Sequence, residues 1–371
     1  MNKIRRKQEE AEARPAAPRP DQEASDNKGT HADSPTRIPI AGWKEVLRRT
    51  WNESWTDNLG LISAGVAFYG FLALVPMLGA IVLVYGLVAE PSTVVSNMEG
   101  LTRIFPDDIA LFIGQQLLDI VRTSEDKKGF GLLVALLVAL YGGSNGAGAV
   151  ITALNVAYEE TEKRSLLRFY SIAVSITVVA VFLALAALAA TTVVARLEEL
   201  APNASPFLVA VGKGAAYVAL TFGAAAVAAT LYRYAPSREK ARWEWLTPGS
   251  IFTAVSWVLF TLAFGFYVTE ITDYNATYGS LGAIIALLTW MYLMAYVFVF
   301  GAELNRELEH QTEKDTTEGM PEPLGKRGAW AADHVAANEG EKSRPDEEVE
   351  SIARVWPDEE PGSEAGSARR G

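Results

Sequence analysis

Tyr170-Ser-Ile-Ala-Val-Ser-Ile-Thr-Val-Val-Ala-Val-Phe-Leu-Ala-Leu-Ala-Ala-Leu-Ala-Ala-Thr-Thr-Val-Val-Ala195 contains no charged residue. A helix rises about 1.5 Å per residue, so this stretch alone exceeds the ~30 Å hydrocarbon core of a bilayer. A soluble domain rarely needs one such window, and this chain has several between about positions 59 and 304. The overall hydrophobic content of 50% conceals them, because both ends are polar and the apolar residues gather in the middle. The chain therefore reads as an all-α membrane protein, a polytopic bundle of about six transmembrane helices with amphipathic interfacial helices.

Outward from that stretch, the spans fall at about 59–89, 130–158, 170–195, 207–232, 246–268 and 279–304. Residues 1–40, rich in Pro, Glu, Asp, Arg and Ala, are expected to form a disordered N-terminal tail, with no apolar region of a signal peptide. The membrane domain occupies 41–308, and 309–371 reads as a disordered acidic tail. Pro76 and several glycines in the first span predict a kinked or broken helix. The second span holds Tyr141-Gly-Gly-Ser-Asn-Gly-Ala-Gly148, where Gly142 and Gly146 are spaced to let another backbone approach closely. Small residues throughout spans three and four fit helix-on-helix packing as well.

Two segments read as amphipathic helices. Trp43, Leu47, Trp51 and Trp55 recur at every fourth residue, the pattern of a helix lying in the headgroup layer, though a helix packed on the bundle would also fit. Ile109, Phe112, Ile113, Gln116, Leu117, Ile120 and Val121 predict a second surface helix in the long connection between spans one and two.

Basic residues set the orientation. Lys163, Arg164 and Arg168 lie between spans two and three, and Arg233, Arg238, Lys240 and Arg242 between spans four and five. The alternate connections hold Arg196 and, over 269–278, no Lys or Arg. Both termini are accordingly expected in the cytoplasm. This topology accounts for the basic loops, so no nucleic-acid partner is expected. Most of the formal charge of −11 comes from the tail after Asn305 and says little about the body.

Enzyme chemistry finds few residues to work with. There is no cysteine, and the three histidines, His31, His310 and His334, all lie in the polar ends. Thiolate catalysis, cysteine zinc sites and an intramembrane Ser–His pair are thereby excluded, and no phosphate-binding loop or H-E-x-x-H motif occurs. The expectation is a protein that is not an enzyme, with no cofactor and no metal. Intramembrane polar groups are the default place for function instead. Lys213, between two glycines inside span four, would hold an anionic group or snorkel to the headgroups. Ser144 and Asn145, with Thr152 and Asn155 further along, would line a substrate path or hydrogen-bond between helices. Asp273, Tyr274, Asn275 and Tyr278, at the start of span six, would form a binding surface or anchor that helix at the interface.

These stretches resemble the YihY/BrkB family of bacterial inner-membrane proteins, once described as ribonuclease BN. The resemblance rests on Ala64-Gly-Val-Ala-Phe-Tyr-Gly-Phe-Leu-Ala-Leu-Val-Pro76 and Gly146-Ala-Gly-Ala-Val-Ile-Thr-Ala-Leu-Asn-Val-Ala-Tyr158. It continues through Leu231-Tyr-Arg-Tyr-Ala-Pro236, Trp243 and Pro248-Gly249. It ends with Tyr274-Asn-Ala-Thr-Tyr-Gly-Ser-Leu-Gly-Ala-Ile-Ile285, Trp290-Met-Tyr292 and Gly301-Ala-Glu-Leu-Asn305. The motifs fall in order over about Trp43–Leu308, and Tyr141-Gly-Gly-Ser144 departs from relatives that carry a tryptophan and a second serine. The resemblance implies the cytoplasmic (inner) membrane and an envelope role, with membrane lipids as partners. The function expected is transport, or help in transport, of an amphipathic lipid-like substrate. The alternative is a scaffold whose tails recruit envelope proteins, Val349-Glu-Ser-Ile-Ala-Arg-Val-Trp356 being the clearest docking segment; a ribonuclease is a remote third.

Overall fold

The computed structural model describes residues 28–88, 128–196, 205–268 and 281–336. Among these residues the chain is helical with no strand. Helix α1 spans Ile40–Thr56, α2 Leu59–Val88, α3 Lys128–Ala157, α4 Leu166–Ala195, α5 Pro206–Tyr234, α6 Trp243–Phe266, α7 Gly282–His310 and α8 Trp330–Asp333. Among the described residues five helices are long and apolar enough to cross a bilayer, six when α1 with Leu59–Leu74 is counted as one bent span. Large apolar side chains such as Phe182, Leu183, Phe207, Phe222 and Leu262 point outward from the bundle, the arrangement expected where the solvent is lipid.

Helix α1 starts after Pro39, whose carbonyl accepts the Trp43 N–H at 3.0 Å. It is held to the bundle by a stripe of small residues, Gly42, Val46, Thr50 and Ser54, all buried. Gly42 is required there, since a Cβ would lie 2.1 Å from the Lys28 carbonyl oxygen. Leu47, Trp51 and Trp55 face outward and exposed, with the two indoles edge to face at 6.2 Å. Leu47, Trp51 and Trp55 thus meet the surroundings, as on an interfacial helix, while Trp43 packs beside Ala32 and Ile38 and donates its indole N–H to the Pro35 carbonyl at 3.3 Å.

The break expected within the first span lies ahead of it. The chain turns by 66° between α1 and α2, with Asn58 in the left-handed region at φ 54, a conformation that asparagine tolerates better than most residues. After that turn α2 runs as one helix through Pro76. The surface helix expected over 109–121 lies outside the described residues.

Glycines set the closest helix approaches. A Cβ on Gly146 of α3 would sit 3.2 Å from Ala73 Cβ of α2, and one on Gly143 would meet Thr177 Cγ2 of α4 at 2.3 Å. The tightest crossing joins α6 to α7, where Gly249 and Gly301 face each other and a Cβ on either would clash with the opposing backbone. Pro248 removes one donor from the α6 ladder, and the next N–H, of Gly249, donates to Asn305 Oδ1 at 2.8 Å. Asn305 Nδ2 returns a bond to the Leu246 carbonyl at 3.2 Å. Beside this crossing, Tyr232 of α5 donates its hydroxyl to the Phe298 carbonyl at 2.7 Å and stacks on the Phe298 ring. Leu154, Tyr158, Leu246, Val299 and Ala302 complete a core that sits toward one end of the bundle.

Within the stretches expected as tails, residues 28–40 and 309–336 pack at that same end, while 1–27 and 337–371 lie outside the described residues. Residues 28–40 lie over α1 and α7, with Ala32 and Ile38 buried against Trp245, Leu304 and Leu308. Helix α7 continues to His310, past the expected end of span six, and the chain then folds back as a strap over 311–336. The Glu313 N–H donates to the Thr30 carbonyl at 2.8 Å, and the Thr312 hydroxyl lies 2.8 Å from the Ala32 carbonyl. Arg327 donates to the carbonyls of Glu313, Lys314, Glu322 and Ala332. Trp330 stacks on His334, carries Arg306 over its ring at 5.2 Å and donates its backbone N–H to Glu160 Oε1 at 2.7 Å. Polar-to-backbone bonds hold this strap, so a polar composition did not betray it.

Candidate functional site

The loops after α3 and α5 meet at the strapped end of the bundle, joined by Asn155. Its Oδ1 accepts the Ser237 N–H at 2.7 Å, and its Nδ2 donates to Glu162 Oε2 at 3.0 Å. Glu162 also takes two bonds of 2.7 Å from the Arg164 guanidinium and one of 3.0 Å from its backbone N–H, and these hold its carboxyl down at about 2. Arg164 in turn reaches the Ala235 carbonyl at 2.9 Å. The substrate-binding candidate Asn155 thus has both ends of its carboxamide engaged in joining two loops.

Beyond this joint, α4 and α5 diverge and leave a groove of about 1070 Å³. One wall is a single helical face of α4, Ile172, Ile176, Val179 and Leu183; Ala226 and Val227 of α5 form the other. The hydroxyls of Ser171, Ser175 and Thr230 also line it, but each donates to a carbonyl of its own helix. The walls therefore offer a ligand no hydroxyl hydrogen and behave as apolar surface.

The mouth is basic, with Lys163, Arg164, Arg168, Arg233, Arg238 and Lys240. Four of these have carboxylate partners. Besides Arg164, Arg233 pairs with Glu318 at 2.6 Å, Arg238 with Glu309 at 2.5 Å, and Lys163 lies 3.4 Å from Glu160. Burial opposes the charge of Arg238, but Glu309 outweighs it and holds the guanidinium above its ordinary value. Arg168 and Lys240 are exposed and have no carboxylate partner among the described residues, Lys240 lying over the Tyr234 ring at 5.3 Å. Gly328 of the strap borders this mouth, accepting the Glu239 N–H at 3.0 Å.

A second, smaller pocket of about 410 Å³ lies among α2, α3 and α4, and it contains Ser144 and Asn145. The Ser144 hydroxyl donates to the Leu140 carbonyl at 2.5 Å, and Thr152 donates to Gly148 at 3.0 Å. The Asn145 carboxamide has no hydrogen-bond partner among the described residues and looks into the pocket with Tyr69 and Tyr170. Lys213 is half-buried near the start of α5, roughly 30 Å by helix rise from the basic mouth at its other end. The structure brings Ser144 and Asn145 together and leaves Lys213 and Asn155 apart from them. Asp273, Tyr274, Asn275 and Tyr278 lie outside the described residues. In the sequence Arg168 and Lys240 signal only topology, although Arg168 begins the face that continues through Ile172, Ile176, Val179 and Leu183. Among the described residues, no three His, Asp or Glu side chains cluster as a metal site would require.

Long apolar helices, outward-facing apolar side chains and a groove between two such helices define a polytopic α-helical membrane protein. The profile of the virulence factor BrkB family matches residues 50–324, and the chain belongs to that family. It is 28% identical over 255 residues to a ribonuclease-like protein, YfkH, of Bacillus subtilis, covering 68% of this chain and 90% of that one. It is 25% identical over 297 residues to a UPF0761 membrane protein of Rhodospirillum centenum, covering 78% of this chain and 63% of the relative. A UPF0761 membrane protein of Alteromonas mediterranea is 24% identical over 277 residues, 73% of this chain and 90% of its own. No solved structure matches the chain.

Proposed function

We propose that this chain is a non-enzymatic protein of the bacterial inner membrane, with cytoplasmic termini, that moves or helps to move an amphipathic lipid-like substrate. The observation that carries the reading is the α4–α5 groove, apolar along its walls and basic at its mouth. That gradient matches a molecule with a polar head and hydrocarbon tails. The excess of basic residues at the strapped end supports placing that end in the cytoplasm. The test is depletion of the protein in cells also lacking its close relatives, with lipid measured in each leaflet and in the outer envelope. A shifted distribution of one lipid class is expected, and an unchanged distribution would refute the reading.

A scaffold acting through its tails is the second reading. The strap over 311–336 is part of the packed body, so a truncation that tests recruitment belongs after Ala336. Loss of function on that truncation, with lipid traffic intact in its absence, would favour the scaffold.

A further inference from the structure

We infer that the α4–α5 groove takes a glycerophospholipid with a monoanionic phosphodiester headgroup. The phosphate is seated between Arg168 and Lys240, and the acyl chains lie against the α4 wall. This inference rests on the reading that the groove holds an amphiphile, and adds the headgroup.

Charge selects the head. Of the six cations around the mouth, four are already matched by Glu160, Glu162, Glu318 and Glu309. Arg168, in the first turn of α4, and Lys240, in the connection between α5 and α6, are the unmatched pair. Among the described residues Glu239 is the single acidic one lining the groove, so their charges leave the mouth an excess of one positive charge. A phosphodiester carries one negative charge and balances that excess, whereas a polyphosphorylated head would bring unmatched anions beside Glu239. Arginine and lysine are both suited to phosphate oxygens, arginine in the bidentate mode.

Length and polarity select the tail. From Ile172 to Leu183 the apolar face of α4 extends roughly 16 Å, close to the thickness of one leaflet of a ~30 Å core. The hydroxyls in the wall are turned back onto their own helices, so nothing below the mouth rewards a polar ligand. A free phosphate would use the mouth and leave the wall bare.

The experiment uses the full chain in phosphatidylcholine nanodiscs doped with phosphatidylglycerol or with phosphatidylethanolamine. Native mass spectrometry then counts the lipid retained on the released protein. Wild type is expected to retain phosphatidylglycerol preferentially. The double variant R168Q/K240Q is expected to lose that retention roughly thirtyfold, from the summed effect of two basic side chains near an anionic lipid. R196Q, at the far end of α4, should not change it. I176W, which fills the wall, should lower retention of both doped lipids. If R168Q/K240Q retains phosphatidylglycerol like wild type while I176W does not, the headgroup assignment is overturned and the groove reading stands. If I176W also retains lipid like wild type, the groove reading falls. Stabilisation by inorganic phosphate alone, dependent on Arg168 and Lys240 and without retained lipid, would overturn the lipid assignment in favour of a soluble phosphate.

Discussion

Replacing Asn305 with leucine should test the α6–α7 crossing more sharply than any other single change. Asn305 is fully buried and makes two bonds to the α6 backbone, accepting from Gly249 N–H and donating to the Leu246 carbonyl. Leucine keeps the volume and removes both. A buried N–H left without an acceptor costs about 1–3 kcal/mol, and the weaker bond to a carbonyl adds about 0.5–1.5 kcal/mol. The expected loss is therefore about 2–4 kcal/mol, large against a marginally stable fold. Unfolding by sodium dodecyl sulfate from mixed micelles, followed by tryptophan fluorescence, reads it directly. The exposed Phe222 changed to leucine serves as the control and should stay within about 0.5 kcal/mol. The double variant P248A/N305L should recover part of the loss, because a restored ladder at position 248 lets the Gly249 N–H return to its own helix. A single N305L variant as stable as wild type would show that the crossing does not depend on this carboxamide.

The same assay reaches three other features. G143V should be strongly destabilising, since a Cβ there already meets Thr177 Cγ2 at 2.3 Å, and T177A should partly rescue it. Truncation after Gln311 should lower stability by several kcal/mol through loss of the strap's bonds, whereas truncation after Ala336 should leave it nearly unchanged; equal stability of the two would remove the strap from the folded body. Glu162 has its carboxyl held down to about 2 by Arg164, so its contribution is complete above about 4.5 and disappears as pH falls toward 2. E162Q should accordingly be less stable than wild type at pH 7, with the gap closing below pH 4; a gap independent of pH would contradict the pairing.

The membrane bundle was legible because lipid imposes a coarse rule that uninterrupted apolar windows satisfy, as in Tyr170–Ala195. The Trp43, Leu47, Trp51 and Trp55 stripe also read correctly as amphipathic, but the face that grips the protein is the unremarkable Gly42, Val46, Thr50 and Ser54 row. Composition could not show this, since close approach depends on side chains that are absent or short. The strap escaped for the opposite reason. Thr312 and Arg327 are ordinary surface residues by type, and their burial depends on carbonyls that only the assembled loops present. Ser144 and Asn145 stand out in the sequence because polar groups inside an apolar span are rare, but their spacing does not show the pocket that they line. The groove mouth was hidden in plain view, since topology alone already accounts for basic residues in a loop.

The bond between Glu313 and Thr30 joins the first described segment of the chain to one of the last. During biosynthesis the ribosome delivers Thr30 long before Glu313, so the earlier segment cannot make this bond until the whole membrane domain between them has emerged. Products stalled or clipped before the strap would leave the Thr30 and Ala32 carbonyls without the Glu313 and Thr312 donors, and a quality-control protease would meet an unfinished closure rather than a finished fold.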